Sequence, residues 1–383
     1  MNVWTSHMPS TLYFGVGSIQ KLHHVLEKEA VRSLIIMTDS GVTQAGLLDE
    51  ILPHIKMSAV EHHILDNIPA EPSYQQAQMA VNAVLERKAD FIIALGGGSV
   101  MDTAKLCSIV DAQTSVFDLL QAPEKAKKQM KTLMIPTTCG TGSEATCNGI
   151  VAVPEQGVKV GIVNDAMMPD YCILDPAMLS TLPPHILAST GVDALAHAVE
   201  CYTSNKANGV SNVYALSAAK LILQNIVRAY ENPSDLEAKG KMLLGSFYGG
   251  LSIASSGTTA VHALAYPLGG KFQVPHGVSN AILLAPVMQF NMDACLAQLS
   301  EIYDALAPTC AVTTVEERAV YIISLIAEIV EKTNIPTELS AYGVTGKDLD
   351  FLVDAASKVT RLLDNNCKTL SKEDIRSIYQ KIL

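Results

Sequence analysis

The 383-residue chain has few aromatic side chains and few charges. It contains 7 Phe, 12 Tyr and 1 Trp, so aliphatic and alanine-rich packing must form most of its core. Charged residues make up 17% and apolar residues 49% of the chain, which excludes a disordered or charge-rich, solvated scaffold. A basic excess is also lacking. The 27 basic and 38 acidic residues give a net charge of −11, which argues against nucleic acid or an anionic membrane as a partner held by a general positive field.

Targeting signals and cysteine motifs are lacking too. The start, MNVWTSHMPSTLYFG, has neither the basic region nor the apolar run of a secretory signal. The charge-free stretch 249–270 is rich in Ser, Gly and Thr and contains His262 and Pro267, a composition unlike that of a membrane span. The eight cysteines are scattered without a CxxC pair, so disulfides are not expected. These absences predict a cytoplasmic globular protein with no membrane partner.

The distribution of short apolar runs and helical stretches predicts two domains. Strands are predicted at 33–38, 59–65, 91–95 and 132–135, with helices at 74–88 and 101–110. Beyond the double proline at 183–184, Ala/Leu-rich stretches predict helices at 188–203, 212–230, 235–254, 296–307 and 314–333. Strands separated by helices imply a parallel sheet covered on both faces. We therefore expect an α/β domain with a parallel, Rossmann-like sheet at 1–182, followed by an all-α domain at 183–383.

A strand that ends in three glycines, Gly96 to Gly98, and then a helix start indicates a phosphate site. Glycines let backbone N–H groups approach a ligand closely, and the helix N-terminus contributes partial positive charge. The common dinucleotide fingerprint would place a third spaced glycine at position 101, which is Met101 here. A tight strand-to-helix connection without a ligand therefore remains the alternative.

A second turn of this kind follows the next predicted strand, over residues 136–146. It contains two glycines and several hydroxyls, those of residues 137, 138, 141 and 143. Ligands of open α/β sheets bind at the carboxyl ends of the strands, so two such turns after neighbouring strands favour a nucleotide. Capping of the following helix by Ser or Thr is the alternative.

Asp39 also stands at a predicted strand end, where a carboxylate can accept from an adenosine ribose and repel a 2′-phosphate. The acidic residue of the dinucleotide fingerprint usually follows the glycines by about 20 residues, whereas Asp39 precedes them. Spacing alone therefore favours a turn-forming or helix-capping aspartate.

Four residues of the second half have the chemistry of metal ligands. Asp193 and His197 are spaced i and i+4, which places them on one face of a helix. We expect His262 on a later helix and His276 on the loop after it, because Pro267 and two glycines intervene. One carboxylate and three imidazoles suit Fe(II) or Zn(II). The alternative is four unrelated, partly buried polar residues.

These motifs together resemble the iron-containing (group III) alcohol dehydrogenases over essentially the whole chain. The matching segments are YFGVGSI at 13–19, IIMTDSGV at 35–42, GGGSVMDTAK at 96–105, PTTCGTGSEAT at 136–146, LSTLPPHILASTGVDALAHAVECYTS at 179–204 and HALAYPLGGKFQVPHG at 262–277. The resemblance implies the family's fold, which is shared with dehydroquinate synthase, an α/β domain followed by a helical domain.

The resemblance also implies roles for single residues. The family's metal ligands, catalytic through the ion, match Asp193, His197, His262 and His276. Its cofactor-binding residues match Asp39, Gly97, Gly98, Ser99, Asp102, Thr137, Thr138, Ser143 and Lys159. Within that set, Asp39 is the residue taken to favour NAD over NADP. The family commonly has a second histidine where this chain has Tyr266, so the resemblance implies no proton-relay histidine at that position.

The implied activity is reversible hydride transfer between NAD(H) and a small alcohol or aldehyde, with the substrate oxygen on a divalent metal, iron(II) in preference to zinc(II). A homodimer or larger homo-oligomer is implied as well. Three alternatives remain: polyol chemistry like that of glycerol dehydrogenase, lyase chemistry like that of dehydroquinate synthase, and a non-catalytic relative that binds nucleotide or metal. The lyase would need a cationic pocket, and near the ligand motifs only Lys206 and Lys271 offer positive charge.

Overall fold

The computed structural model of the chain describes residues 3–309 and 312–383. Their contacts divide them into two units. The α/β unit contains His7–Thr138 and Gly142–Leu182. The helical unit contains Pro183–Leu383, together with Cys139–Thr141 and the N-terminal residues up to Ser6.

The α/β unit has eight strands within its described residues. They are β1 (Thr11–Phe14), β2 (Ser33–Met37), β3 (Glu61–Leu65), β4 (Phe91–Gly96), β5 (Lys131–Pro136), β6 (Asn148–Val153), β7 (Val158–Val163) and β8 (Tyr171–Leu174). Six of them form a parallel sheet in the order β1-β8-β5-β4-β2-β3, and β6 and β7 form an antiparallel pair. The predicted parallel sheet is confirmed.

Helices connect and cover these strands. They are α1 (Lys21–Lys28), α2 (Ser40–Gln44), α3 (Leu47–Met57), α4 (Tyr74–Arg87), α5 (Gly98–Cys107) and α6 (Val116–Gln121). Every residue of β4 is buried, as expected for a central strand covered on both faces. Because β2, β4 and β5 are parallel neighbours, the segments that follow them meet at one edge of the sheet.

The helical unit contains ten α-helices within its described residues. They are α7 (Pro184–Thr203), α8 (Gly209–Glu231), α9 (Leu236–Ser256), α10 (Ala260–Phe272), α11 (His276–Asn291), α12 (Leu296–Leu306), α13 (Val315–Lys332), α14 (Leu349–Ser357), α15 (Thr360–Leu363) and α16 (Lys372–Gln380). No strand occurs among the described residues after Leu174. The predicted all-helical character of this half is therefore confirmed.

Among the elements that sequence reasoning did not predict, some are short or lack a distinct period. Strands β1 and β8 have four residues each, and β7 is mostly half-exposed. Helix α11 is apolar nearly all round, so it has no contrasting polar face to reveal its period.

The described residues bear on two predictions from the sequence, the lack of a membrane span and the lack of disulfides. No single helix among them is both long and apolar enough to cross a membrane. The bent pair of segments 276–294 and 296–306 has the length and composition of a span, judged by those two criteria alone. Cys107, Cys147, Cys172, Cys201, Cys295 and Cys367 are thiols. Cys310 lies outside the described residues.

Candidate metal centre and nucleotide site

Helix α7 carries the first two predicted metal ligands. Asp193 and His197 are both buried on the same helix face, and His197 Nε2 lies 3.7 Å from Asp193 Oδ1. The i, i+4 spacing thus produces the proximity that it predicts.

The other two predicted ligands come from the next pair of helices. His262 Nε2 and His276 Nε2 lie 3.6 Å and 3.7 Å from Asp193 Oδ1. One ligand atom from each of Asp193, His262 and His276 lies within 4.8 Å of the others. The structure therefore brings all four predicted residues around one carboxylate oxygen.

The predicted loop position of His276 is wrong, because this residue is the first of helix α11. Helix α10 continues through Pro267 and ends at Phe272, and the next residue, Gln273, has a left-handed φ of 56°. Only residues 273–275 separate the two helices. Pro275 immediately precedes α11, a position at which its fixed φ and missing N–H cost nothing.

Asn280 is a member of this cluster that the sequence reasoning missed. Its Nδ2 donates to Asp193 Oδ1 at 2.6 Å and lies 3.2 Å from Nε2 of both His262 and His276. Its Oδ1 is buried without a hydrogen-bond partner. A polar residue at i+4 from His276 on an apolar helix was the available signal.

Glu200 was missed as well, although it is the one other charged residue near the Asp193–His197 pair in sequence. It is fully buried on α7, and its Oε2 is hydrogen-bonded to His262 Nδ1. Since Nδ1 is engaged in this way, Nε2 of the same ring is left to face Asp193. Metal-binding histidines are commonly oriented by a carboxylate in this arrangement.

The electrostatics of the cluster favour an ionised carboxylate. Burial alone would raise the pKa of Asp193, but His197, His276 and His262 together hold it well below the usual range. Burial would lower the pKa of His262, but the carboxylates of Glu200 and Asp193 raise it to about 9. Burial lowers the pKa of His197.

The donor set fits a divalent transition ion. It offers one buried carboxylate and three imidazoles whose Nε2 atoms converge on it. Nitrogen-rich sites of this kind suit Fe(II) and Zn(II) rather than Mg²⁺ or Ca²⁺, which prefer oxygen ligands.

In the α/β unit, the glycine turn leads into a helix start suited to phosphate. Gly97 is the N-cap of α5 and provides no side-chain cap, so the first N–H groups of α5 point away from the helix without a side-chain acceptor. A Cβ on Gly96 would lie 2.6 Å from Val100 Cγ2, and one on Gly97 would lie 3.3 Å from Thr138 Cγ2. The turn therefore needs glycine for close packing rather than for a positive φ.

Other predicted cofactor residues follow the neighbouring strands at the same edge. Thr137 follows β5, and its N–H donates to Gly96 O at 3.1 Å. Asp39 follows β2 and caps α2, because its Oδ1 accepts from Val42 N at 3.0 Å. The helix-capping role favoured by its spacing is thus present in the structure.

Ser99 and Lys159 are linked through one residue. Ser99 Oγ accepts from the backbone N–H of Glu71 at 2.9 Å, and Lys159 Nζ lies 2.6 Å from Glu71 Oε1. Glu71 has a left-handed φ of 50°. The three residues tie the segment after β3 and the β6–β7 pair to the start of α5.

Asp102 and Ser143 lie in a buried polar network rather than in solvent. Ser143 Oγ donates to Asp102 Oδ1 at 2.5 Å, and Asp102 Oδ2 accepts from Ile150 N at 2.9 Å. Lys105 Nζ, which is fully buried, lies 2.9 Å from Asp102 Oδ1 and donates to Ser143 O at 3.1 Å. This network fixes helix α5 to the loop after β5.

Two family models together match most of the chain. The Fe-containing alcohol dehydrogenase family, C-terminal, matches residues 187–383, and iron-containing alcohol dehydrogenase matches residues 9–176. The chain belongs to the iron-containing alcohol dehydrogenase family. The predicted family is therefore confirmed.

Relatives of this alcohol dehydrogenase match over nearly their whole length. Long-chain-alcohol dehydrogenase 1 of Geobacillus thermodenitrificans is 32% identical, covering 99% of this chain and 97% of the relative. Among solved structures, 1,3-propanediol oxidoreductase matches with a TM-score of 0.91 and 26% identity over 100% of both chains. An iron-containing alcohol dehydrogenase from Thermotoga maritima matches with a TM-score of 0.86 and 30% identity, covering 100% of this chain and 99% of that one.

These matches confirm the predicted fold and enzyme class. The protein is a metal-dependent alcohol dehydrogenase or aldehyde reductase. The predicted cofactors, NAD(H) and a divalent iron ion, are those that the family uses.

Tyr266 stands at the position where the resemblance described above predicts a second histidine. It lies half-buried on α10, one turn after His262, and its ring centroid is 6.4 Å from that of His276. Its phenol therefore lies beside a predicted metal ligand.

Proposed function

We propose that this enzyme transfers hydride reversibly between NAD(H) and a small alcohol or aldehyde, with Asp193, His197, His262 and His276 holding one divalent ion. The observation that carries the proposal is the convergence of three imidazole Nε2 atoms on a single buried carboxylate oxygen. Such an ion supplies Lewis-acid polarisation of the substrate oxygen. The alcohol loses a hydride to the nicotinamide and a proton to solvent. The alcohol is thereby oxidised and NAD is reduced, so the oxidation state of the ion need not change.

The cofactor's pyrophosphate binds at Gly97, Gly98 and Ser99. This assignment is supported by the uncapped start of α5 and by the close packing around the glycines. Thr137 and Thr138, after the adjacent strand, contact the nicotinamide half. Asp39 accepts from the adenosine ribose and favours NAD over NADP, because its carboxylate would repel a 2′-phosphate. Its half-buried position directly after β2 supports this role.

The remaining cofactor residues act in two ways. Asp102 and Ser143 hold the cofactor loops in place through their mutual hydrogen bond, since both side chains are buried. Lys159 lies near the nicotinamide ribose, anchored by its ion pair with Glu71. The α/β domain at 1–182 thus supplies the nucleotide site, and the helical domain at 183–383 supplies the metal site.

Neutral alcohols and aldehydes are the proposed substrate class. The relatives named for long-chain alcohols and for 1,3-propanediol support this choice. Iron(II) is the proposed ion in preference to zinc(II), in line with the family. A homodimer or larger homo-oligomer and a cytoplasmic location complete the proposal.

The deciding experiment combines metal content with turnover. The purified chain is stripped of metal, reloaded with Fe(II) or Zn(II), and assayed at 340 nm with a panel of short aldehydes and either NADH or NADPH. Activity that depends on metal and prefers NADH is expected. A His276→Ala variant should lose both the bound ion and activity. Full activity after chelation, or an undiminished metal content in His276→Ala, would contradict the proposal.

A further inference from the structure

We infer that Glu200 is a positioning residue of the metal centre: its carboxylate keeps a proton on His262 Nδ1 and so presents His262 Nε2 as the ligand atom. The inference rests on the proposed metal site. It concerns a residue that neither touches the ion nor belongs to the ligand set.

The two oxygens of Glu200 have separate partners. Oε2 is hydrogen-bonded to His262 Nδ1. Oε1 accepts from Thr259 N at 3.0 Å, from Thr259 Oγ1 at 2.7 Å and from Val261 N at 2.8 Å. Glu200 itself is fully buried, so water does not compete for these bonds.

The bonds to Oε1 make Glu200 the N-terminal cap of helix α10. Thr259 is the N-cap residue by position, but its own side chain makes no capping bond. A carboxylate from α7 instead accepts the N–H groups of the first turn, where negative charge is favoured by the helix dipole. This fixes the position of α10, and therefore of the His262 backbone, relative to α7.

The bond to Oε2 fixes the chemistry of the ring. A neutral imidazole carries one proton, and only its unprotonated nitrogen can bind an ion. A carboxylate accepts but cannot donate, so it requires the proton on Nδ1. Nε2, which lies 3.6 Å from Asp193 Oδ1, is then the nitrogen with a free lone pair.

Glu200→Gln separates the two roles. The glutamine oxygen can still accept from the first turn of α10, while its NH₂ group faces His262 Nδ1 and donates to it. Nδ1 must then be the acceptor, and the single proton of the neutral ring moves to Nε2. The proton then occupies His262 Nε2, the nitrogen that faces Asp193, so this atom can no longer bind an ion. The cap at the start of α10 is retained.

Thr259→Val is the matched control. It removes the Oγ1 hydrogen bond to Glu200 Oε1 and keeps the backbone N–H bonds and the Oε2 contact with His262. It therefore perturbs the same carboxylate and the same helix terminus without altering the tautomer of the ring.

Zinc affinity, measured by competition with a chromophoric chelator, is the main readout, with thermal unfolding of the metal-free chains alongside. We expect Glu200→Gln to weaken zinc binding 10- to 100-fold, the usual effect of removing such an outer carboxylate. We expect Thr259→Val to bind zinc nearly as tightly as the native chain. Unchanged affinity in Glu200→Gln, or an equal loss in both variants, would overturn the inference.

A measurement on the native chain keeps the inference testable if Glu200→Gln does not fold. In the zinc-loaded, ¹⁵N-histidine-labelled protein, an imidazole N–H that exchanges slowly with solvent is expected on Nδ1 of His262, and it should be missing in His262→Ala. A zinc-bound Nδ1 would overturn the inference. Native zinc affinity in His262→Ala would instead contradict the proposed metal site itself, which separates the two failures.

Discussion

A Cβ atom on Gly277 would lie 2.5 Å from the backbone carbonyl oxygen of Ser189. The first turn of α11 therefore lies against the backbone of α7, and the contact falls on the residue that follows His276. This contact brings His276 to within 3.7 Å of Asp193 Oδ1. The glycine after the histidine is required by this close approach between two backbones.

Gly277→Ala should weaken the metal site. Backbone atoms cannot yield as a flexible side chain does, so α11 must shift away from α7 and carry His276 with it. We expect a loss of about 1–3 kcal/mol in the free energy of unfolding, as for other overpacked positions, together with weaker zinc binding. Thermal unfolding and chelator competition measure the two effects.

Gly209→Ala is the control for this change. Gly209 is the first residue of α8, and a Cβ there would meet nothing within 4 Å. Zinc affinity should be unchanged in that variant, and stability should be unchanged or higher by up to about 1 kcal/mol. If Gly277→Ala behaved in the same way, the contact would not be what positions His276.

Asn280→Asp should make the stability of the chain more dependent on metal. In the native chain, the Asn280 amide donates to Asp193 at 2.6 Å. A carboxylate in its place would face that oxygen with like charge, and an ion would relieve the repulsion. The melting temperature of the metal-free variant should fall below that of the native chain, and zinc should raise it by more than it raises that of the native chain. An equal rise in both proteins would contradict this account.

The sequence predicted those parts of the site that depend on local periodicity. Asp193 and His197 lie on one helix face because helices repeat every 3.6 residues, and their spacing is enough to show it. The strands at 33–37 and 91–96 were predicted within a residue because they are uninterrupted apolar runs that end at turn residues.

The missed parts depend on packing between elements that are distant in sequence. Glu200 caps a helix that starts 60 residues later, at Ala260, and no spacing rule connects the two. His276 was expected on a loop because proline and glycine commonly break helices, whereas α10 tolerates Pro267 and the break falls at Gln273. The residue types alone made His262 and His276 candidate ligands but left unrelated buried histidines as the alternative, and the family resemblance chose between the two.

Asp39→Asn should change cofactor preference without loss of stability. Asparagine retains the side-chain oxygen that accepts from Val42 N and is as good an N-cap as aspartate. It removes the negative charge that would repel a 2′-phosphate. The ratio of kcat/KM for NADPH to that for NADH should therefore rise, while the melting temperature stays close to that of the native chain.

The Asp39→Ala variant separates the charge from the cap. It should relax the cofactor preference in the same direction but lose about 1 kcal/mol of stability, because α2 loses its cap. An unchanged NADPH to NADH ratio in both variants would show that Asp39 does not face the adenosine ribose.

Glu144 should make the enzyme less stable as the pH rises from acid to neutral. The residue is almost fully buried in the loop after β5, and its Oε1 has no hydrogen-bond partner. Burial raises its pKa from 4.5 to about 7, against the opposing effects of its own backbone N–H and of Lys105. The folded chain therefore holds this proton more tightly than the unfolded chain does. The resulting stabilisation is complete below pH 4.5 and is lost as the pH rises through 7.

Glu144→Gln removes this pH dependence, because an amide does not titrate. Relative to the native chain, the variant should gain up to about 3 kcal/mol between pH 4.5 and pH 8. Denaturant unfolding of both proteins at the two pH values measures the difference, and Glu86→Gln, at an exposed position on α4, is the control. If the stability difference between Glu144→Gln and the native chain were the same at both pH values, the pKa of Glu144 would be the same in the folded and unfolded chains, and burial would not be raising it.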